Sequence, residues 1–403
     1  LIITIDTDAN DLPQGVLSWH EVISTKPDLK RPRIDVKLDD VVLLPYSSGT
    51  TGVPKGVMIT HRQFSSMADI AEKVQRFNDS QMKNPTVWEK EIMIHFLPFY
   101  HIYGFAMLGL TVVEHSTAII LSSFNPLLFL ECIQDYKISN VSVVPPILVF
   151  LAKFPMCSDY DLSSLKKIGC GAAPAGKDIC DAVLKRYPHV EFIQQGYGMT
   201  ELSMVTFMPD ANSRTKFGTV GKLAAGLQGK IVDIKTGKEL PTGQPGEICV
   251  KGATVMLGYY NKPQATKECI VDGWMHTGDI GYVDADGDLY IVDRLKELIK
   301  VKGLQVAPAE LEDLLLSHPK IMDAAVIGVQ DKDAGELPKA YVVRDDDNKL
   351  TAEDVINFVK DKVSPYKQLK GGVEFIEVIP KAPSGKILRR ELRERNKQEK
   401  SKL

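Results

Sequence analysis

At 403 residues and 44% hydrophobic content, the chain can bury a large core and form about two or three domains, which makes it an ordinary globular protein. A formal net charge of -3 supplies no field that would draw nucleic acid or an anionic membrane. The six cysteines (Cys132, Cys157, Cys170, Cys180, Cys249, Cys269) hold no Cys-x-x-Cys pair and no matching His spacing, which argues against zinc and a disulfide framework and favours a reducing compartment.

In chain order, Val41–Leu44 and Val57–Ile59 read as buried strands. Between them runs Tyr46-Ser-Ser-Gly-Thr-Thr-Gly-Val-Pro-Lys-Gly56, a loop with the chemistry of a phosphate cradle. Gly49, Gly52 and Gly56 let backbone N–H groups turn toward an anion, Ser47, Ser48, Thr50 and Thr51 add hydroxyl donors, and Lys55 adds a point charge. It is not a Walker A loop: counted from Gly49, Pro54 takes the second glycine position, and Gly56 follows Lys55 where a Mg²⁺-binding Ser or Thr belongs. Taken alone, the segment fits a flexible surface loop as well.

Ile92–Leu97, Ala118–Leu121, Val141–Val144 and Phe192–Gln195 read as strands spaced by amphipathic stretches, an alternation that implies helices on a largely parallel sheet. The longest apolar run, Ile102–Val113, falls short of the about 20 residues a bilayer span needs and ends at Glu114-His115, so it reads as core rather than membrane. No charged leader with an apolar stretch opens the chain, so no secretory signal is expected. Gly169-Cys-Gly171-Ala-Ala-Pro174 fails as a dinucleotide fingerprint because Pro174 takes the last glycine position.

From about 217 to 293 the texture changes to short strands broken by turns such as Lys235-Thr-Gly237, Pro241-Thr-Gly243 and Asp286-Gly287, pointing to an antiparallel or barrel-like segment. Beyond Asp293-Arg294, helices at Glu310–Leu316 and Ala352–Val363 and strands at Ala324–Gly328 and Ala340–Val343 form a compact α+β unit of roughly 110 residues. Ile387–Lys402 reads as a solvated helix or frayed tail. Ser401-Lys402-Leu403 is the tripeptide that peroxisomal import receptors read at a free C-terminus, so peroxisomal delivery is expected.

Four more segments carry chemistry. In Gln195-Gly-Tyr-Gly-Met-Thr-Glu201 an adenine could stack on Tyr197, Thr200 could reach a phosphate and Glu201 could hold Mg²⁺. His276-Thr-Gly-Asp279 presents a carboxylate at a turn, suited to both hydroxyls of a ribose, although Thr-Gly-Asp is also ordinary turn chemistry. Asp293–Gly303 places Arg294, Lys296, Lys300 and Lys302 at a domain junction, or along a solvated strand. Pro383-Ser-Gly-Lys386 puts one lysine at the tip of a turn.

In order and spacing these segments resemble the adenylate-forming superfamily of acyl-CoA synthetases, 4-coumarate-CoA ligases and beetle luciferases, over essentially the whole chain. The resemblance implies an α/β fold: a large N-terminal domain of helix-flanked sheets plus a β-barrel-like segment (1–293), and a small mobile α+β lid (294–403) hinged near Asp293. It implies ATP or AMP contacts at Ser47, Ser48, Gly49, Thr50, Thr51, Gly52, Lys55, Gly171, Ala172, Ala173, Gln195, Gly196, Tyr197, Thr200, Asp279, Arg294 and Lys296, with Mg²⁺ on Glu201. Lys386 matches the adenylation lysine, Lys300 the lysine of the second half-reaction, and Lys302 and Gly303 the coenzyme A contacts. His101 and Tyr103, in Leu97-Pro-Phe-Tyr-His-Ile-Tyr-Gly104, match the acyl-pocket wall with Gly171 and Gly196; a lone histidine beside aromatics is otherwise a core residue.

The implied reaction joins a carboxylic acid to coenzyme A at the expense of ATP, through an acyl-adenylate, on fatty or arylpropenoic acids. A luciferase-like monooxygenase using the same adenylation step and a truncated, non-catalytic nucleotide-binding remnant are the rival classes. Family members generally carry roughly a hundred or more residues before the phosphate loop, so part of the first subdomain is expected to be missing here.

Overall fold

The computed structural model describes residues 2–4, 12, 14, 16–26, 34–47, 54–81, 91–210, 216–345, 349–382 and 384–400. Ser48, Gly49, Thr50, Thr51, Gly52, Pro383 and Ser401-Lys402-Leu403 lie outside the described residues. The chain divides into two compact units, 1–40 and 41–403. The first contains the parallel strands Ile2–Thr4 and Val16–Ser18 and the short helix Trp19–Ser24, whose first turn is capped by the Ser18 hydroxyl accepting from Glu21 N at 3.0 Å.

The second unit is organised around a five-stranded sheet in the order Phe192–Gln195, Lys167–Cys170, Asn140–Val143, Ile92–His95, Thr117–Ile120. Every ladder in it is parallel, as the alternation of apolar runs and helices implies. The strand Lys167–Cys170 has no apolar signature, because Lys167 opens it and Gly169 interrupts it. Its lysine is nevertheless 4% exposed, and tertiary charge pairing overrides the pattern. Helices Pro126–Tyr136, Pro145–Lys153 and Lys177–Arg186 share one large core with the sheet, centred on Phe129, Leu148, Leu151, Leu165 and Ile168.

A second core holds helices His61–Ser80 and Ile102–Val113 with Met67, Ala71, Ala106 and Leu110. Thr60 and Gln63 start the first of these helices with a capping box, each side chain bonding the other's backbone N–H. Strand Lys55–Thr60 pairs antiparallel with Val41–Leu43, Tyr46–Ser47 and Gly258–Tyr259. Tyr46 faces Gly56 and Ser47 faces Lys55, so the two ends of the expected phosphate loop pair antiparallel.

Residues 227–294 form a second five-stranded sheet, Leu227–Val232, Gly246–Gly252, Trp274–Val283 and Ile270–Val271 with Leu289–Arg294 on Trp274–Val283, antiparallel throughout. Asp279 departs from expectation here: it lies inside the strand Trp274–Val283, not at a turn, and pairs with Arg294. Gly278, at φ +71°, provides the bend that Thr-Gly-Asp suggests, at a break in register where Glu247 pairs with Ile280 and Cys249 with His276.

Beyond Arg294, strands Ile299–Val301, Leu304–Val306, Ile321–Asp331, Gly335–Arg344 and Val373–Phe375 form one sheet. With helices Pro308–Leu316 and Ala352–Lys360 it encloses its own core of Leu311, Leu315, Val326, Val342 and Val355. Lys153 joins this segment to the parallel sheet's helices, its Nζ donating to the carbonyls of Leu316, His318 and Ile321 at 2.8, 3.1 and 2.6 Å. Among the described residues no helix is long and apolar enough to cross a membrane.

The final segment is the helix Arg389–Lys400, one of the two forms its charge pattern suggests, but one side of it is docked rather than solvated. Leu392 is buried beside Tyr341 and Ile379, and Arg389 forks both oxygens of the buried Glu312 at 2.7 and 2.6 Å. Arg389, Arg393 and Arg395 pair with Glu312, Glu297 and Glu374, all distant in sequence, and helical spacing alone cannot distinguish such pairs from solvated charges. Replacing Arg389 by Met leaves the Glu312 carboxylate buried and unpaired, so we expect about 3 kcal/mol of destabilisation in urea unfolding. Arg390→Met, at an exposed pair with Glu394, should cost under about 0.5 kcal/mol.

Candidate functional site

Side chains alternate along a strand, so Lys167 and Gly169 share one face of the parallel sheet, with Gly171 continuing that line past the strand end. This face, with Asn140, Ser142 and Met93 of the neighbouring strands, floors a cavity of about 640 Å³. Tyr103, Met107 and Leu110, spaced to share one side of the helix Ile102–Val113, form one wall, and Ala71 and Gln75 of the helix His61–Ser80 another. The mouth lies at the carboxyl ends of the strands, where open α/β sheets bind ligands. There Gly196, Tyr197, Thr200 and Glu201 meet Lys55, Asp279, Arg294, Lys296 and Lys386 around the same space.

A second cavity of about 580 Å³ shares Ala172, Gly196, Tyr197, Asp279, Arg294 and Lys386 with the first and adds Ala173, Pro174 and Gln195. Gln195 holds that loop from behind, its amide accepting from Ala175 N at 2.9 Å and donating to Ala175 O at 2.8 Å. Ala172 sits at φ +70°, a conformation seldom adopted by a residue bearing Cβ. A Cβ on Gly171 would stand 3.2 Å from the Tyr103 ring, so this glycine keeps the passage beside Tyr103 open.

Asp279 is the hub. Its Oδ2 accepts from the Tyr197 hydroxyl at 2.7 Å, and its Oδ1 lies 3.4 Å from Arg294 Nε. Burial raises its pKa, opposed by Arg294 and Tyr197, and the same burial raises the Tyr197 phenol well above its ordinary value. Glu201, 4% exposed, accepts at Oε1 from Ser47 Oγ and from the Tyr259 hydroxyl, both at 2.8 Å. Lys55 Nζ lies 4.6 Å from the centroid of the Tyr259 ring.

His101 caps the helix Ile102–Val113 by accepting from Tyr103 N at its Nδ1, 3.2 Å away, which leaves Nε2 to carry the proton of the neutral ring. Burial, then the Lys386 charge, lowers its pKa, so the ring lines the cavity uncharged. Lys386 is presented by a turn with Gly385 at φ +81° and Ala382 N bonded to Lys386 O at 2.8 Å. Asp293 is buried at the end of the strand Leu289–Arg294, accepting from Arg294 N and Ala309 N at 2.6 and 2.9 Å. Lys300, Lys302 and Gly303 lie on an exposed hairpin and line neither cavity.

Two groups of lining residues have no sequence signal. Tyr259 lies in the short strand Gly258–Tyr259 and reaches Glu201 only because that strand pairs with Val57 and Met58. Asp79, Glu114 and Lys167 come from three unrelated elements and look like surface charges in the sequence.

The AMP-binding enzyme profile matches residues 2–260, and the AMP-binding enzyme C-terminal domain matches residues 310–386. 4-Coumarate–CoA ligase 2 of Nicotiana tabacum is 46% identical over 398 residues, 97% of this chain and 71% of that protein. 4-Coumarate:CoA ligase 1 of Petunia hybrida is 44% identical over 400 residues, 98% of this chain and 71% of that protein. Among solved structures, ATP-bound MatB from Rhodopseudomonas palustris matches with a TM-score of 0.79 at 30% identity, over 90% of this chain and 70% of that one. O-succinylbenzoate coenzyme A synthetase from Bacillus subtilis, in complex with AMP, matches with a TM-score of 0.77 at 27% identity, over 94% of this chain and 74% of that one. A cleft at the carboxyl ends of a parallel sheet, ringed by cations and met by a lysine from a C-terminal α+β segment, defines an enzyme that activates its substrate with a nucleotide. The chain belongs to the AMP-binding enzyme family.

Burial, and next the Arg294 charge, bring Lys386 down to about 8, so its ammonium is present below that pH and lost above it. With this cation required at the phosphates, kcat/KM for ATP should be level below about pH 7 and fall with a slope approaching tenfold per unit above about pH 8. Lys386→Arg, charged throughout, should lower the plateau and remove that limb; stopped-flow or coupled assays across the pH range read both.

Proposed function

We infer that this protein is an ATP-dependent carboxylic acid–coenzyme A ligase that forms an acyl-adenylate and then an acyl-CoA thioester. The observation that carries the inference is the convergence of Lys55, Glu201, Asp279, Arg294 and Lys386 on one cavity that continues as a largely apolar slot between sheet and helices. A carboxylate is a poor target for a thiol, because oxide does not leave and the anion repels nucleophiles. Adenylation supplies a leaving group.

The chain's own groups suit the first step. Lys55, Arg294 and Lys386 bring positive charge to where a triphosphate would lie, and such preorganised charge is the main catalytic means in phosphoryl chemistry. Asp279, already accepting from Tyr197, is placed to accept from ribose hydroxyls, and the loop from Gly171 to Pro174 offers a flat bed for a purine. Glu201 fits as a Mg²⁺ ligand, being a buried hard-oxygen donor on the cavity wall whose bonds to Ser47 and Tyr259 both fall on Oε1. Mg²⁺ held there would neutralise phosphate charge. Uncharged His101 lines the passage toward the acid.

The second step needs the same carbonyl open to a thiol. Under this proposal residues 294–403 rotate about Asp293, withdrawing Lys386 and bringing Lys300, Lys302 and Gly303 to the cleft. The acid we propose is an arylpropenoate, supported by the named relatives and by the flat, glycine-lined floor at Gly169 and Gly171. Fatty acids are the second choice, favoured by Ser401-Lys402-Leu403, which we take as an address for a peroxisomal import receptor. A fluorescent-protein fusion with and without this tripeptide tests that part.

ATP–pyrophosphate exchange and AMP release over a panel of carboxylic acids test the ligase itself, and no exchange with any acid sinks it. Lys386→Ala should reduce adenylate formation by about a hundredfold or more while leaving thioester formation from supplied acyl-AMP within about threefold. Equal losses in both half-reactions would contradict the division of labour.

A further inference from the structure

The end of the slot away from the nucleotide is not apolar. Lys167 opens the strand that ends beside Gly171, and at about 3.3 Å per residue the floor between them runs about 13 Å. At this far end Asp79, Glu114, Lys167, Gln75 and Asn140 line the cavity. Lys167 Nζ lies 3.0 Å from Asp79 Oδ1 and 3.3 Å from Glu91 Oε1, and Glu91 Oε1 also accepts from Ser139 Oγ at 3.0 Å. A slot meant only for hydrocarbon has no use for such a cluster, since burying charge is costly even when it is paired.

Glu114 is the decisive member. It is 1% exposed, and neither carboxyl oxygen has a hydrogen-bond partner among the described residues. It caps the C-terminal end of the helix Ile102–Val113, the negative pole of the helix dipole, and Glu91 and Asp79 are near. Burial, then Glu91, raise its pKa to about 8, so the carboxyl is neutral at ordinary pH. Orphaned buried carboxyls are uncommon because each forfeits its bonds to water. Lys167 and Arg76, the two cations that act on Glu114, are matched by the carboxylates of Asp79, Glu91 and Glu72, so beside a neutral acid there is no excess positive charge and the place refuses an anion and suits a donor.

We propose that Glu114, with Asp79 and Lys167 behind it, forms a distal polar subsite that accepts a hydrogen bond from a hydroxyl or amino group at the end of the acid remote from its carboxylate. This rests on the reading that the acid lies in the slot with its carboxylate toward Lys386. Glu114 is thereby a specificity-determining residue.

The test uses the full chain with near-isosteric acids: para-hydroxy-, para-amino- and para-methylcinnamate, and ω-hydroxydecanoate beside undecanoate. ATP–pyrophosphate exchange gives kcat/KM, and titration calorimetry gives binding without turnover. The wild-type protein should favour hydroxy or amino acids over their methyl counterparts by about tenfold or more, because a site built to bond a donor rejects the analogue that lacks it. The two donor arms show which group is preferred. Glu114→Leu should reverse the order, and Glu114→Gln, close in shape to the neutral acid, should keep the donor preference and the thermal midpoint. Equal use of donor and methyl acids by the wild type, or an order unchanged in Glu114→Leu with a native melting profile, overturns the subsite. Donor-selective binding without any exchange would uphold the subsite and sink the ligase reading; no binding of any acid sinks both.

Discussion

Three elements that share no local sequence meet at Asp279. Tyr197 arrives from the turn after the parallel sheet, Arg294 from the last residue of an antiparallel strand, and Asp279 from the middle of that strand's partner. A buried carboxylate is tolerated only when it is paired and bonded, so this contact fixes how the two sheets meet. The cavity mouth follows from that join, because Gly196 and Thr200 flank Tyr197 and the hinge candidate Asp293 adjoins Arg294. Under the proposed function the same group would have a second use, since a carboxylate held by one phenol and one guanidinium keeps acceptor capacity for a ribose.

Opposing demands explain the polar character of the site. Lys55, Arg294, Lys296 and Lys386 line the same space, and the described carboxylates nearest them include Asp279, Glu201 and Glu297. Burial above all, and next the Arg294 charge, lower the Lys386 pKa, so holding this ammonium in the cleft has a cost. Under the proposed function a triphosphate would relieve the repulsion among the cations, and the energy of assembling them would be recovered on binding and aimed at the reacting phosphorus.

Much of the architecture is legible because the strands of a covered parallel sheet must be nearly continuous apolar runs, and four of its five strands carry that mark. The fifth, Lys167–Cys170, is hidden because its lysine is neutralised by Asp79, 88 positions away, which no local pattern reports. Asp279 illustrates the converse: Thr-Gly-Asp correctly marks a bend, but pairing with Arg294 keeps the residue in a strand. The C-terminal helix looks solvated because its ion-pair partners, Glu312, Glu297 and Glu374, lie far back in the chain. The residues proposed to face a nucleotide are readable since phosphate chemistry forces glycine, hydroxyl and lysine into short segments. The acyl slot is not, because it is assembled one residue at a time from helix faces and strand faces at helical and two-residue spacings that any core would show.

The contact between the C-terminal segment and the parallel sheet's helices joins the apolar Leu316 to several polar groups. Lys153 donates to three backbone carbonyls at the end of the helix Pro308–Leu316, and the Asp313 carboxylate lies against Gly176, where any side chain would overlap it. Backbone carbonyls, an ammonium and a carboxylate can all return to water on separation, whereas a large apolar interface could not without a heavy penalty. The rotation proposed for residues 294–403 would ask such a seam to hold Lys386 at the cleft and also to part. The exposed hairpin bearing Lys300, Lys302 and Gly303 is consistent with this, for residues that serve only a second arrangement have no reason to be buried in the first.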